Sequence, residues 1–256
     1  YGVKVLADSF GMNGRAPLTA ASGKPMSIAQ EAMAAGKAVA LVQTGHIAEP
    51  GTAVFVASNE RRRNGADLAR QVVQSGAQVI MAGGERFLLP AGVAGRHGPG
   101  EREDGLNLIE EAEAAGYTVV YTRDELLALN LDGVDKLLGV FAHNHTFNDQ
   151  AREVNLAEGK PTYWDFAPSL AEMTDVALAI VSRDDDGLLA VIEEEGTDNI
   201  ANNMNAAGTL EALTRADAGG GGGAGVHGRP RRHAVDHGRG FGCGRVADVP
   251  SERGPG

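Results

Sequence analysis

Hydrophobic positions along the chain fall into a recurring cassette. An Ala-rich stretch with apolar residues at helical spacing is followed by a glycine and then by a short aliphatic run. Ser27 to Ala35 reads as a helix stopped by Gly36, with Ala38–Val42 as the strand behind it. Ala66–Ser75 and Gly76 lead into Gln78–Met81, and Leu106–Ala115 and Gly116 lead into Tyr117–Tyr121. Glycine just past a helix relieves the left-handed turn there, and an unbroken aliphatic run suits a strand covered on both faces. The spacing further predicts a short helix over Asp124–Leu129, a strand over Lys136–Phe141 and a helix over Ser169–Val181. A strand over Leu188–Ile192 and a helix over Asn205–Ala216 follow. Residues 1–24 carry little pattern and read as a loop. Alternation of this kind predicts an α/β fold: a three-layer sandwich with a mostly parallel sheet covered by helices on both faces. Ligands of such sheets gather outside the carboxyl ends of the strands.

Three strand exits carry candidate chemistry. Leu188–Ile192 runs into Glu193-Glu194-Glu195-Gly196-Thr197-Asp198-Asn199. Two carboxylates about 5 Å apart repel by roughly 3 kcal/mol at an effective dielectric near 20. Four acids therefore need either solvent or a hard cation, and the residues alone leave both open. Ala38–Val42 runs into Gln43-Thr44-Gly45-His46-Ile47-Ala48-Glu49-Pro50-Gly51-Thr52. Pro50-Gly51-Thr52 is a helix-start signal with Thr52 near the N-cap. That helix is expected to end at Asn59-Glu60-Arg61-Arg62-Arg63, where arginines suit the negative end of the macrodipole. One inward arginine would instead be a bidentate phosphate partner. Lys136–Phe141 runs into Ala142-His143-Asn144-His145-Thr146. The two histidines would share a face if the strand continued, as a metal pair; otherwise they are polar loop residues. Gly83-Gly84 and Gly95 to Gly100 form no phosphate-cradling glycine fingerprint, which disfavours a nicotinamide-binding domain.

Composition sharpens this picture. The 256 residues carry a formal charge of −11, which argues against a general nucleic-acid binder. No apolar run approaches the roughly 20 residues of a membrane-spanning helix. A single cysteine, Cys243, excludes a disulfide framework or a multi-thiolate zinc site. The charge is uneven: residues 219–256 hold 13 of the 36 glycines and are +3, leaving −14 on residues 1–218.

In this order, the segments resemble the bacterial alkaline phosphatase family from Gly2-Val3-Lys4 to about Ala218. The resemblance is carried by Ala34-Ala35-Gly36-Lys37-Ala38 running into Gln43-Thr44, and by Gly105-Leu106-Asn107-Leu108-Ile109-Glu110-Glu111-Ala112. Lys136-Leu137-Leu138-Gly139-Val140-Phe141-Ala142 and Pro168-Ser169-Leu170-Ala171-Glu172-Met173-Thr174 complete it. It implies an incomplete alkaline-phosphatase-like domain of a metal-dependent hydrolase that cleaves phosphate monoesters through a phosphoserine intermediate. The alternatives are a non-catalytic metal- or phosphate-binding relative and a related metal-dependent diesterase or sulfatase. By resemblance Mg2+ and Zn2+ are the cofactors. Glu193 matches a magnesium-binding glutamate and Asp198, five residues on, a zinc-binding aspartate. Arg62 matches the arginine that grips phosphate oxygens, and Glu49 an acid near magnesium. Thr52 resembles a magnesium-binding threonine, one place late. Asn202 stands where the family has a zinc-binding histidine, which points to a divergent branch with altered metal ligands. The family's serine nucleophile would fall before Gly2, so this chain is expected to be an inactive fragment with no catalytic residue of its own. Expected partners are phosphorylated small molecules, with a homodimer in the intact protein, no nucleic acid and no membrane span. The expected location, also by resemblance, is periplasmic or extracellular.

Residues 219–256 read as a low-complexity, disordered tail for a specific reason. Codons that permit Arg232 to His237 also permit, one base on, Asp-Thr-Leu-Leu-Ile-Thr, the strand that the family places there. The expectation is a reading-frame change near residue 218. The domain would then comprise residues 1–218, followed by an out-of-frame tail.

Overall fold

The computed structural model describes residues 5–20 and 22–222 and the two short segments 234–237 and 244–248. A two-residue hairpin, β1 (Met12–Asn13) with β2 (Ala16–Pro17), lies within the stretch expected to be a loop. Helix α1 (Ile28–Ala34) starts at Ser27, which forms a reciprocal capping box with Gln30. Strand β3 (Ala38–His46) follows, four residues longer than its aliphatic run.

Next come α2 (Pro50–Ala53), α3 (Gly65–Val73), β4 (Val79–Gly83), α4 (Leu108–Ala114), β5 (Thr118–Val120), α5 (Arg123–Leu127) and β6 (Leu137–Val140). After them lie α6 (Arg152–Glu158), α7 (Leu170–Val181), β7 (Leu188–Glu193), α8 (Gly196–Asn202) and α9 (Ala206–Gly222), then β8 (Ala234–His237) and β9 (Gly244–Asp248).

Five strands are parallel in the order β5-β6-β4-β3-β7. Beyond β7 the sheet continues antiparallel through β9 and β8. Strand alternation splits the core in two. Val39, Leu41, Ile80, Leu138, Leu189 and Val191 face the layer of α1, α3 and α4. Ala38, Ala40, Val42, Met81, Leu137 and Ala190 face α5 and α7. The three-layer sandwich expected from the pattern is therefore present, with small residues on β3 where α7 lies close.

Two local expectations change. Helix α2 is a single turn with Glu49, not Thr52, at its N-cap. The chain then turns back because Phe10 and Asn59 pair through both backbone bonds and Arg62 N donates to Asp8 O at 2.6 Å. Arg61–Arg63 thus lie in a turn before α3, capped by Asn64, and not at a helix end. Helix α9 runs through Gly222, so the boundary at residue 218 falls inside a helix. The expected disorder and frame change concern residues mostly outside the described ones.

Arg102 ties the loop after β4 to the layer above it. Fully buried, it donates to Ala66 O (2.7 Å) and Phe87 O (2.8 Å) and grips Asp104 with two donors. The slight burial of Asp104 pushes its carboxyl up. Hydrogen bonds from Arg102 and Leu106 N–H outweigh this and hold it below its ordinary 3.8. A depressed acid contributes fully above its unfolded value and loses that contribution as pH falls through the folded one. Arg102→Met should therefore destabilise the chain by about 3 kcal/mol at neutral pH. Urea unfolding checks this, and the difference from wild type should narrow at pH 3, where Asp104 is protonated in the unfolded chain.

Candidate metal and anion site

The site lies at the carboxyl ends of β3, β4, β6 and β7. Leaving β7, the alternation of the strand sends three consecutive glutamates to two sides. Glu194 is buried toward the α8–α9 side, where its Oε1 accepts from Thr44 Oγ1 (2.6 Å), Tyr163 OH (2.8 Å) and Gly196 N–H (3.2 Å). Thr44 O in turn accepts from Thr146 N–H and Oγ1, which joins the exits of β3 and β6. Glu194 therefore anchors the strand ends.

Glu193 and Glu195 point the other way and lie beside each other, with Glu49 and Asp198 near enough to act on both. Burial, and then these neighbouring acids, pushes both carboxyls above their ordinary range. Glu193 Oε2 is buried without a partner among the described residues. Gly51 admits this carboxyl: a Cβ there would stand 1.7 Å from all three of its atoms. Thr52 is buried beside it and its hydroxyl accepts from Gln43 Nε2.

Glu49 is the hub. Its Oε1 lies 3.0 Å from His46 Nε2 and 4.0 Å from His145 Nε2, and its Oε2 lies 3.6 Å from Arg62 Nη2. Burial pushes Glu49 up, but His46, His145 and Arg62 together hold it below its ordinary value. The two imidazoles stack at 5.0 Å, and His46 meets Phe87 edge-on at 4.9 Å. Burial, then His46, lowers His145 to about 4, which leaves its ring neutral with a lone pair to offer.

The structure thus brings Glu49, Thr52, Arg62, Glu193 and Asp198 to one region. It also brings in Glu195 and His145, which the sequence offered only within the acidic run and as a possible partner of His143, and His46, to which the sequence assigned no role. Of the two readings of His143 and His145, the shared-face metal pair does not form. Strand β6 ends at Val140, so alternation stops, and His143 Nε2 turns to Pro99 O at 3.0 Å. The acidic run is neither a solvated turn nor irregular: its three glutamates are buried and Asp198 opens helix α8. Asn202, one helical turn on, donates to Asp198 Oδ1 at 3.2 Å.

Both donor sets fit metal ions. Crowded, buried, partly unpaired carboxylates suit a hard cation with oxygen ligands. His46, Glu49 and His145 offer atoms within 4.8 Å of one another, an imidazole and carboxylate set of the kind that suits a zinc-like ion once the side chains draw together. Beside them, Asp8, Arg62, Arg63, Arg86 and Phe87 help line a cleft of ≈ 460 Å³.

A largely parallel α/β sheet with clustered acids and an arginine at its strand exits makes a candidate metal- and anion-binding domain. The alkaline phosphatase family model matches residues 2–219, and the chain belongs to that family. It is 30% identical over 224 residues to a membrane-bound alkaline phosphatase of Bombyx mori, covering 75% of this chain and 39% of that protein. Against an alkaline phosphatase of Gadus morhua it is 33% identical over 140 residues, 50% of this chain and 27% of that one. The solved Thermus thermophilus alkaline phosphatase superposes with a TM-score of 0.65 at 32% identity, over 84% of this chain and 40% of that one. The chain thus spans about two fifths or less of the length of these relatives.

Removing metals with a chelator and returning Mg2+ should raise the melting temperature by several degrees, because the cation relieves the crowding of Glu193 and Glu195. Gly51→Ala, which displaces Glu193, should abolish that rise while leaving the metal-free melting temperature within a few degrees of wild type. Thermal unfolding followed by circular dichroism checks both.

Proposed function

We propose that this chain forms the metal- and phosphate-binding part of a phosphate monoester hydrolase that acts through a phosphoserine intermediate. The observation that carries the reading is the convergence, in this family's fold, of Glu49, Glu193, Glu195 and Asp198 beside the guanidinium of Arg62. Glu193 and Asp198, with Glu49 and Glu195, hold divalent ions, and Thr52 lines that pocket. His46, Glu49 and His145 offer a second, nitrogen-containing set. A divalent cation bound there neutralises charge on the phosphoryl oxygens and on the leaving oxygen.

The chain's own residues do the rest. Arg62 is half exposed and tethered only loosely to Glu49, so its planar fork is free to take two phosphoryl oxygens. Glu49 orients that fork and the His46 ring together. Glu194, through Thr44 and Tyr163, fixes the strand ends from which the ligands project. In place of a family histidine, Asn202 turns an amide toward Asp198, and an oxygen-rich set of this kind favours Mg2+ over Zn2+. The substrates are phosphorylated small molecules. Hydrolysis outside the cytoplasm, a homodimeric assembly, and a frame change near residue 218 that replaces the next family strand belong to the same proposal.

With Mg2+ present, the chain should bind inorganic phosphate in a calorimeter, and Arg62→Ala should weaken binding by about tenfold to a hundredfold. Absence of phosphate binding by the wild-type chain, or full binding by the variant, would overturn the reading.

A further inference from the structure

The cleft beside Glu49 offers more than one guanidinium to an anion. Arg62, Arg63 and Arg86 all line it, against the carboxylates of Asp8 and Glu49. In a chain with a net charge of −11, an arginine-rich cleft runs against the overall field and marks a place built for anions.

Arg86 stands apart from the arginine that the family motif accounts for. It sits just past β4, in the short helical turn Glu85–Phe87, and its guanidinium lies 4.3 Å from the centre of the Phe87 ring. Phe87 packs edge-on against His46, which pairs with Glu49, the residue that Arg62 also touches. Arg62 and Arg86 are thereby both referred to the same His46–Glu49 pair, one directly and one through an aromatic ring.

The donors of Arg86 are underused. Its Nη1 meets Glu101 Oε2 at 3.4 Å, and that carboxylate is about half exposed. A long, exposed contact of this kind is easily given up. Arg86 Nε is buried and has no acceptor among the described residues. Nε lies beneath the accessible surface, so an anion in the cleft would engage the terminal donors of the guanidinium, where the long Glu101 contact is easily displaced. Stacking on Phe87 holds the planar fork in place before any ligand arrives, so little freedom is lost on binding.

Resting on the phosphate reading above, we infer that Arg86 is a second anion-binding residue, so that this cleft prefers phosphate esters carrying a second anionic group on the alcohol portion. Arg62 takes the phosphoryl group beside the metal ligands, Arg86 takes the distal anion, and Arg63 adds charge at the rim. Glu101 competes for Arg86 in the free protein and is displaced.

The test compares two non-hydrolysable ligands, propylphosphonate and 1,3-propylenediphosphonate, by calorimetry on the Mg2+-loaded chain. Wild type should bind the diphosphonate about tenfold more tightly. Arg86→Gln should bring the ratio of the two affinities close to one. Glu101→Gln, which removes the competitor and leaves the fold-bearing contacts of Arg86 intact, should raise the ratio. Equal affinities in wild type, a ratio that survives Arg86→Gln, or a uniform loss of both affinities in that variant would each overturn the inference. Failure of wild type to bind either ligand would overturn it together with the phosphate reading, whereas tight but indiscriminate binding would overturn it alone.

Discussion

Buried carboxylates crowd the end of β7, and most of the site follows from how that crowding is resolved. Three consecutive glutamates leave a strand whose side chains alternate. One of them, Glu194, turns aside and accepts hydrogen bonds from Thr44, Tyr163 and Gly196 at one oxygen. The other two face Glu49 and Asp198, and among the described residues Arg62 reaches Glu49 but is not paired with either of them. Like charges placed this close in a poorly solvated pocket either take up protons or bind a cation. The glycine at position 51 shows that the backbone makes room for the crowding, since any side chain there would collide with Glu193.

Glu49 connects this acidic pocket to the rest of the cleft. One oxygen faces two imidazoles and the other faces a guanidinium, so a single side chain is shared between a possible metal ligand set and an anion-binding arginine. That sharing fits a reaction in which metal and substrate oxygens must be held close together. It also explains how Phe87 and Arg86, from a different strand exit, come to bear on the same place.

Much of the sheet was legible in the sequence, because doubly covered strands are unbroken aliphatic runs and their helices end at glycine. The parts that were not legible have physical reasons. Strand β3 continues through Gln43-Thr44-Gly45-His46, where polar residues hide the extension, and so His46 was not placed. Helix α8 is acidic and Asn-rich and carries only Ile200 as a fully buried apolar residue, so it read as a turn. Helix α6 has no apolar stripe, and its Leu156 is exposed. Of the candidate residues, Glu49, Thr52, Arg62, Glu193 and Asp198 came from a motif resemblance, whereas Glu195 was within reach of strand alternation alone. His145 needed the knowledge that β6 stops at Val140, a tertiary fact that no local pattern carries. The divided charge and the out-of-frame reading of the tail are decided by nucleotides rather than by folding.

The central claim is that the acids at the end of β7 form a cation site. Its most direct test is a crystal structure of the chain grown with Mn2+ and measured at a wavelength where manganese scatters anomalously. The account predicts an anomalous peak bounded by Glu193 and Asp198, on the side facing Glu49. A map with no peak there would contradict it.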